Sequence, residues 1–316
     1  MDTVASVVVA ESLAKCTYGG VTITATVHTD MASPHLVNAG TKAQLSRYLP
    51  NIIQGNLITA VAVTEPGAGS DVAGLKTQAI KHANHWVLNG SKMFITNGVY
   101  SDLYFVAART NPDAKGSHGI TMFIVEKDTP GFSIGSVLNK MGWHSSDTAE
   151  LVFENCQIPE ENILGEVNQG FYAIMKNFQN ERIVLGAQAM GEAAKAIELT
   201  LEYVKEREAF GQKLWEKQTI RQRLAKRLAQ VEAGCQLVYH TAWLDARGED
   251  CIKEVSMVKA YCGELVNRVM YDCQQFHGGF GYIKGTTIER MFRDARIQSV
   301  GGGATEVMLE EVAKRI

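Results

Sequence analysis

Three regions with different hydrophobic periods predict an α+β fold. They are a helical segment over residues 1–56, an antiparallel, barrel-like β-domain over 57–165, and a four-helix bundle over 166–316. In the first region Ala, Leu and Val recur at three and four residues. In the second, short β-rich runs alternate with turn residues. In the third, long amphipathic stretches return and persist to the end of the chain.

The elements follow in order. Thr41 is an N-cap for a helix that Pro50 is expected to end. Strand-like runs cover 59–63, 86–88, 93–95, 103–107, 120–125 and 149–153, with Asn-Gly, Pro-Asp and Pro-Gly turn signals between them. They follow one another too closely for helical crossovers, which favours antiparallel pairing. Helices are expected over 183–207, 218–247, 252–276 and 306–316. Short links between them imply antiparallel packing.

With 316 residues the chain can build a large core, and a net charge of −3 gives no nucleic-acid footprint. Arg221, Arg223, Lys226 and Arg227 recur at helical spacing and read as a solvated helix face. Cys16, Cys156, Cys235, Cys251, Cys262 and Cys273 show no close pairing, so they read as reduced thiols of a cytosol-like compartment. The eight histidines are not grouped at ligand spacing, and no metal site is expected. His82 and His85 are expected to flank an exposed turn. No apolar run is long enough to insert in a membrane. Met1-Asp2-Thr3-Val4 lacks the basic start of a targeting peptide.

The chemically informative stretch is Val63-Thr64-Glu65-Pro66-Gly67-Ala68-Gly69-Ser70-Asp71. It leaves an apolar run, and its glycines let the backbone approach a ligand closely. Its free N–H groups can cradle an anion. Taken alone it is a connecting turn, and it lacks the third glycine of the dinucleotide fingerprint. Three further motifs follow: Asn89-Gly90-Ser91-Lys92-Met93-Phe94-Ile95-Thr96-Asn97-Gly98, then Arg207-Glu208-Ala209-Phe210-Gly211, then Gln275-Phe276-His277-Gly278-Gly279-Phe280-Gly281-Tyr282. This ordered set resembles the FAD-dependent acyl-CoA dehydrogenase family, from about Thr41 to the C-terminus. Met141-Gly142-Trp143-His144-Ser145-Ser146-Asp147-Thr148 also looks familial. Relatives usually carry more helices before the region that matches Thr41, so the N-terminal helical domain reads as shortened.

The resemblance implies where FAD would lie. Val63 and Thr64 would line the isoalloxazine ring, with Phe94 and Thr96 over its other side. Phe94 stands where many relatives have Trp. On its own, Phe94 would read as a core aromatic. Gly69 and Ser70 would border the cofactor and substrate phosphates. Arg207, Phe210, Gln218, Gln275 and Gly279 match residues that meet the FAD of a neighbouring subunit, which implies a homo-oligomer, dimer or tetramer. Arg182 matches a position near the CoA portion of the substrate. Without the resemblance it reads as a first-turn residue paired with Glu181.

The reaction implied removes a proton alpha to a thioester and a hydride from the beta carbon, giving a trans-2-enoyl-CoA. Many relatives place the base in a C-terminal segment where this chain has Gly302, with Ala304 in place of the usual Thr. Long-chain and isovaleryl-CoA dehydrogenases instead take it from a bundle helix, and there Glu264 matches. Its neighbours Met257, Ala260 and Tyr261 suggest an apolar, desolvating setting; the bland reading is an exposed pair with Arg268. Glu65 and Asp71 are lesser candidates. Gly302 would still offer a backbone N–H to the thioester oxygen. The expected electron acceptor is an electron-transferring flavoprotein. An oxidase of the same fold that uses oxygen, and a non-catalytic scaffold relative, are the alternatives. A cytoplasmic site of bacterial type is expected, or the mitochondrial matrix.

Overall fold

A computed structural model describes residues 2–114 and 116–316. The fold class is α+β, as the periods predict. The chain divides into two compact units. One is built on a β-sheet and comprises Ile23–Asn139 and Ser146–Phe178. The other is helical and comprises residues 2–22, Lys140–Ser145 and Gln179–Ile316. The helical residues 1–56 are therefore shared between the two.

The sheet unit contains α3 (Ser33–Ala39) and α4 (Lys42–Ile53); the short α1 (Thr3–Ala14) and α2 (Gly19–Thr26) precede them. Thr41 caps α4 through a full capping box, its hydroxyl accepting from Gln44 N while the Gln44 side chain accepts from Thr41 N. The helix does not stop at Pro50. It runs one further turn to Ile53, with Pro50 inside it. The Pro50 carbonyl still accepts from Gln54 N, so the helix loses only the bond that proline cannot donate.

Eight strands form the sheet: β1 (Thr59–Ala62), β2 (Gln78–Lys81), β3 (His85–Thr96), β4 (Leu103–Arg109), β5 (Ile120–Glu126), β6 (Phe132–Val137), β7 (Thr148–Pro159) and β8 (Ile163–Leu164). Their order is β6-β7-β3-β2-β4-β5-β8, with β1 also on β4. The pairing is mixed rather than purely antiparallel, because β1 and β2 both run parallel to β4. The two runs expected at 86–88 and 93–95 are one strand. Asn89-Gly90 is not a turn but lies inside β3, where a Cβ on Gly90 would sit 2.8 Å from Thr77 Cα. His82 N donates to the His85 carbonyl across the actual hairpin turn, and the two rings stack.

Alternation along β4 explains the core. Phe105 and Ala107 face Leu36, Tyr48 and Ile52 of the helices. Tyr104, Val106 and Ala108 face Trp86, Phe123 and Phe153 from the other strands. A strand buried on both faces has no polar side, which is why β4 and β5 read as continuous apolar runs.

The helical unit holds most of α5 (Gly170–Glu206), a small hairpin of β9 (Glu208–Ala209) and β10 (Gln212–Lys213), α6 (Gln218–Ala246), α7 (Ile252–His277), α8 (Thr287–Ala295) and α9 (Thr305–Ala313). Here α7 is central, packing on α6, α8 and α9, while α1 lies against α6. Its Val255, Val258, Cys262, Val266 and Val269 are fully buried. The basic stripe on α6 is only partly solvated. Arg223 and Arg227 both pair with the buried Asp272 of α7, at 2.8 and 2.7 Å. The Met141–Trp143 segment is pinned to α8: Trp143 N donates to Asp294 at 2.6 Å and Arg293 to the Met141 carbonyl at 2.9 Å.

Four of the six cysteines are buried and all are free thiols. Burial pushes the Cys156 and Cys273 thiols up to about 12, so they are inert packing groups. Among the described residues no helix is long and apolar enough to cross a membrane.

Candidate functional site

In the sheet unit the glycine-rich turn folds back on itself, with Glu65 N and Ala68 N each donating to the other residue's carbonyl. A Cβ placed on Gly67 or Gly69 would meet no atom within 4 Å. Internal packing therefore does not demand glycine at either position, whereas a ligand brought close to the backbone would. Ser70 is exposed beside them, Val63 is buried, and Thr64 is half-buried.

The turn is anchored by a buried ion pair. Lys92 Nζ lies 2.7 Å from Glu65 Oε1 and donates also to the Val63 carbonyl at 3.1 Å. Glu65 further accepts from Lys76 N and Thr77 N, at 2.6 and 2.9 Å. Burial would raise the Glu65 carboxyl, but Lys92, Thr77 and Lys76 together overcome it and hold the group below the usual carboxylate range. Burial brings the Lys92 ammonium down to about 8 against the opposing pull of Glu65. A carboxylate so fully engaged cannot serve as a base, and Glu65 is structural. Neither partner's importance stood out in the sequence. A lysine inside an alternating strand was the available signal, since an unpaired buried charge there would be intolerable.

Met93 N donates to the Thr64 carbonyl, so this part of β3 runs beside the turn. Phe94 is not a core aromatic. Its φ is +62° and its ring is 64% exposed, because a register irregularity between Lys92 and Ile95 turns it outward. Thr96 is half-buried on the same strand. Val63 and Thr64 thus lie on a segment adjacent to the Phe94–Thr96 part of β3, with Gly69 and Ser70 on the turn that follows.

In the helical unit a groove of about 720 Å³ is lined by Arg207, Gln275, Phe276, Gly278, Gly279 and Phe280, among others. Arg207, Gln275 and Gly279 are brought together as expected; Phe210 and Gln218 are not among the lining residues. Phe210 sits with Gly211 at the tip of the β9–β10 hairpin, both at positive φ, as a two-residue turn of this twist requires. A phenylalanine at that position is strained, and its ring is 97% exposed. Gln218 opens α6 and is exposed.

Arg182 lies in the middle of α5 rather than in a first turn, because the helix begins at Gly170. Its Nε donates to the Gly302 carbonyl at 3.3 Å. Burial lowers the guanidinium, while Glu181 and Glu311 oppose that shift. Gly302 has φ +70°, and a Cβ there would press on the tip of the Leu185 side chain, so a larger residue at this position would strain the backbone.

Glu264 departs from the desolvated setting expected. Its carboxylate pairs with Arg268 at 2.6 Å and its side chain is 41% exposed. Tyr261 beside it is also exposed, so the stripe expected to bury Glu264 is apolar but incomplete. Asp71 lies exposed in the turn, where it precedes a short helical turn at Val72–Gly74.

The sheet unit thus carries an open glycine turn beside an outward aromatic on strained backbone, and the helical unit separately carries a groove lined by Arg207 and glycines. The class of protein is a flavin-dependent oxidoreductase acting on acyl-CoA. Residues 1–56, 60–156 and 168–316 match the N-terminal, middle and C-terminal domains of acyl-CoA dehydrogenase. The chain is 41% identical over 288 residues to an acyl-CoA dehydrogenase of Bacillus subtilis, covering 91% of this chain and 76% of that protein. It is 39% identical over 313 residues to the mitochondrial long-chain specific acyl-CoA dehydrogenase of Mus musculus, covering 97% and 70%. The crystal structure of an acyl-CoA dehydrogenase from Geobacillus kaustophilus superposes with a TM-score of 0.95 at 39% identity, over 100% of this chain and 83% of that one. The chain belongs to the acyl-CoA dehydrogenase family, whose members are FAD flavoproteins.

Proposed function

We propose that Glu264 is the base that removes the alpha proton of a saturated acyl-CoA. The observation that carries this reading is the placement of Glu264 on α7, next to Gly263, which packs directly on the Gln298 carbonyl just before the Gly302 loop. The base and the loop that offers a donor to the thioester are thereby held in one register. Gly302 carries no side chain that could act as a base, which supports the helix over the loop as the source. The pair with Arg268 is no obstacle. Both side chains are partly solvated, and separating such a pair costs roughly 1 kcal/mol or less.

Proton loss places negative charge on the thioester oxygen, and the Gly302 N–H would stabilise it. Arg182 would meet the CoA portion, and Ser70 with its turn both ligands. Val63, Thr64, Gly69, Ser70, Phe94 and Thr96 would hold the flavin. Bound FAD would supply the hydride acceptor for the beta carbon, after which the product is a trans-2-enoyl-CoA.

Arg207, Phe210, Gln218, Gln275 and Gly279 would close the FAD site of a second copy, in a homo-oligomer. The strained and solvent-facing Phe210 supports this, since the chain gives that ring little to pack against. We propose an electron-transferring flavoprotein as electron acceptor and a cytoplasmic location.

The test is an anaerobic titration of the flavin absorbance (near roughly 450 nm, a property of the cofactor) with a series of saturated acyl-CoAs. Wild-type protein is expected to bleach with a preferred chain length. Glu264→Gln should keep its flavin and bleach at least about 10³-fold more slowly. Equal rates in the two would remove Glu264 from the mechanism.

A further inference from the structure

The face of α7 beside Glu264 carries Lys259, Gly263 and Asn267, each one turn from the next. All three engage the segment that leads to Gly302. Lys259 Nζ donates to the Gln298 carbonyl at 2.6 Å and to the Gly303 carbonyl at 3.1 Å. A Cβ on Gly263 would stand 2.5 Å from the Gln298 carbonyl oxygen, so the helix backbone presses on that same group. Asn267 Nδ2 donates to the Ala295 carbonyl at 3.1 Å. Carbonyls on both sides of Gly302 are thus held by a single ammonium, and the Gly302 carbonyl is taken by Arg182.

Lys259 is itself unusual. It is 1% exposed, and among the described residues it forms no ion pair with a carboxylate. Burial, reinforced by Arg182 and slightly opposed by Cys262, brings the ammonium down to about 8. A buried cation that meets only carbonyls is costly, and packing alone would favour an apolar residue of the same volume. With the Gln298, Gly302 and Gly303 carbonyls held in this way, the backbone on both sides of the Gly302 amide is fixed by the two cations. The Lys259 side chain also stands beside Gly302, its Cε 3.6 Å from where a Cβ on that residue would lie.

We propose that Lys259 is a positioning residue for the reaction: it fixes the Gly302 amide toward the thioester oxygen and sets a positive charge behind it. The proposal rests on the reading that the Gly302 N–H meets that oxygen. It does not require Glu264 to be the base.

A 3-oxoacyl-CoA separates the two ideas. It ionises to an enolate in solution and needs no enzymic base. Its enolate also absorbs in the near ultraviolet, apart from any turnover. Titrating the complex against pH measures how strongly the protein stabilises negative charge on the thioester. In Lys259→Met, loaded with flavin, the ionisation should move upward by about one pH unit, a tenfold loss. With substrate, kcat should fall about tenfold or more while KM stays within about twofold. The thermal midpoint and flavin content of the same preparation show that it is folded. An unshifted ionisation in folded protein would overturn the proposal, whatever happens to kcat. Should Lys259→Met fail to fold, Lys259→Gln, which keeps a donor but no charge, is read by the same measurements. If Glu264→Gln retains activity while the Lys259 shift is seen, the base assignment falls and this proposal stands.

Discussion

Two buried carboxylates, one in each unit, have opposite fates. Glu65 in the sheet unit meets an ammonium and two backbone N–H groups and is held ionised. Glu192 on α5 is buried, yet among the described residues it accepts a hydrogen bond only from the Gln188 amide, at 2.9 Å. Among the described residues its second oxygen makes no close hydrogen bond, and neither do Gln188 Oε1 or Trp143 Nε1. Burial pushes Glu192 up to about 7, with Asp294 adding to the shift and the Gln188 and Gln298 amides opposing it. Burial therefore leaves one carboxyl held ionised and the other raised to about 7, and the difference is the number of donors supplied.

The largest expected effect comes from breaking the first region. Lys92→Met leaves Glu65 buried without its cation, and should cost about 3–5 kcal/mol in chemical denaturation. Because the pair anchors the glycine-rich turn, flavin retention should drop with it. Unchanged stability would mean that the two amide donors suffice.

The second region should respond with the opposite sign. A carboxyl raised from 4.5 to about 7 contributes stability below pH 4.5, and that stability is lost as pH rises through about 7. The loss approaches about 3 kcal/mol above pH 8. Glu192→Gln should therefore unfold at higher denaturant than wild type at pH 8, with the gap closing toward pH 5. Glu65, with its depressed value, works the other way: its contribution is present above the usual carboxylate range and fades as pH falls through its folded value. A Glu192→Gln variant that melts like wild type at pH 8 would mean the site holds donors, such as water, that pair the ionised form.

The smallest effect belongs to the exposed pair. Arg268→Ala should change unfolding free energy by less than about 1 kcal/mol, because both partners of the Glu264 bridge are partly solvated. A larger loss would show that Arg268 does more than its geometry suggests.

Much of this architecture was legible. The change of period at about residue 57 and the return of helices located both sets of elements, and the N-cap at Thr41 was readable, although its completion as a capping box by Gln44 was seen only in the structure. Asn89-Gly90 misled because the same dipeptide that makes a tight turn also relieves crowding when a strand crosses a neighbour, and only the contact with Thr77 decides which. The parallel placement of β1 and β2 on β4 was not readable, since it depends on long-range pairing. The candidate site residues came from short contiguous motifs, which a sequence displays directly. Lys259 escaped because its partners are backbone carbonyls about forty positions away, which no side-chain pattern encodes.

The irregularity in β3 acts like a crank in a shaft. On the near side Lys92 turns inward and ties down the turn; two residues later, where a regular strand would face the same way, Phe94 points out. The wall residue is thereby uncoupled from the core. A change of ring size at position 94 therefore falls mainly on the solvent side, and the fold beneath it can stay still.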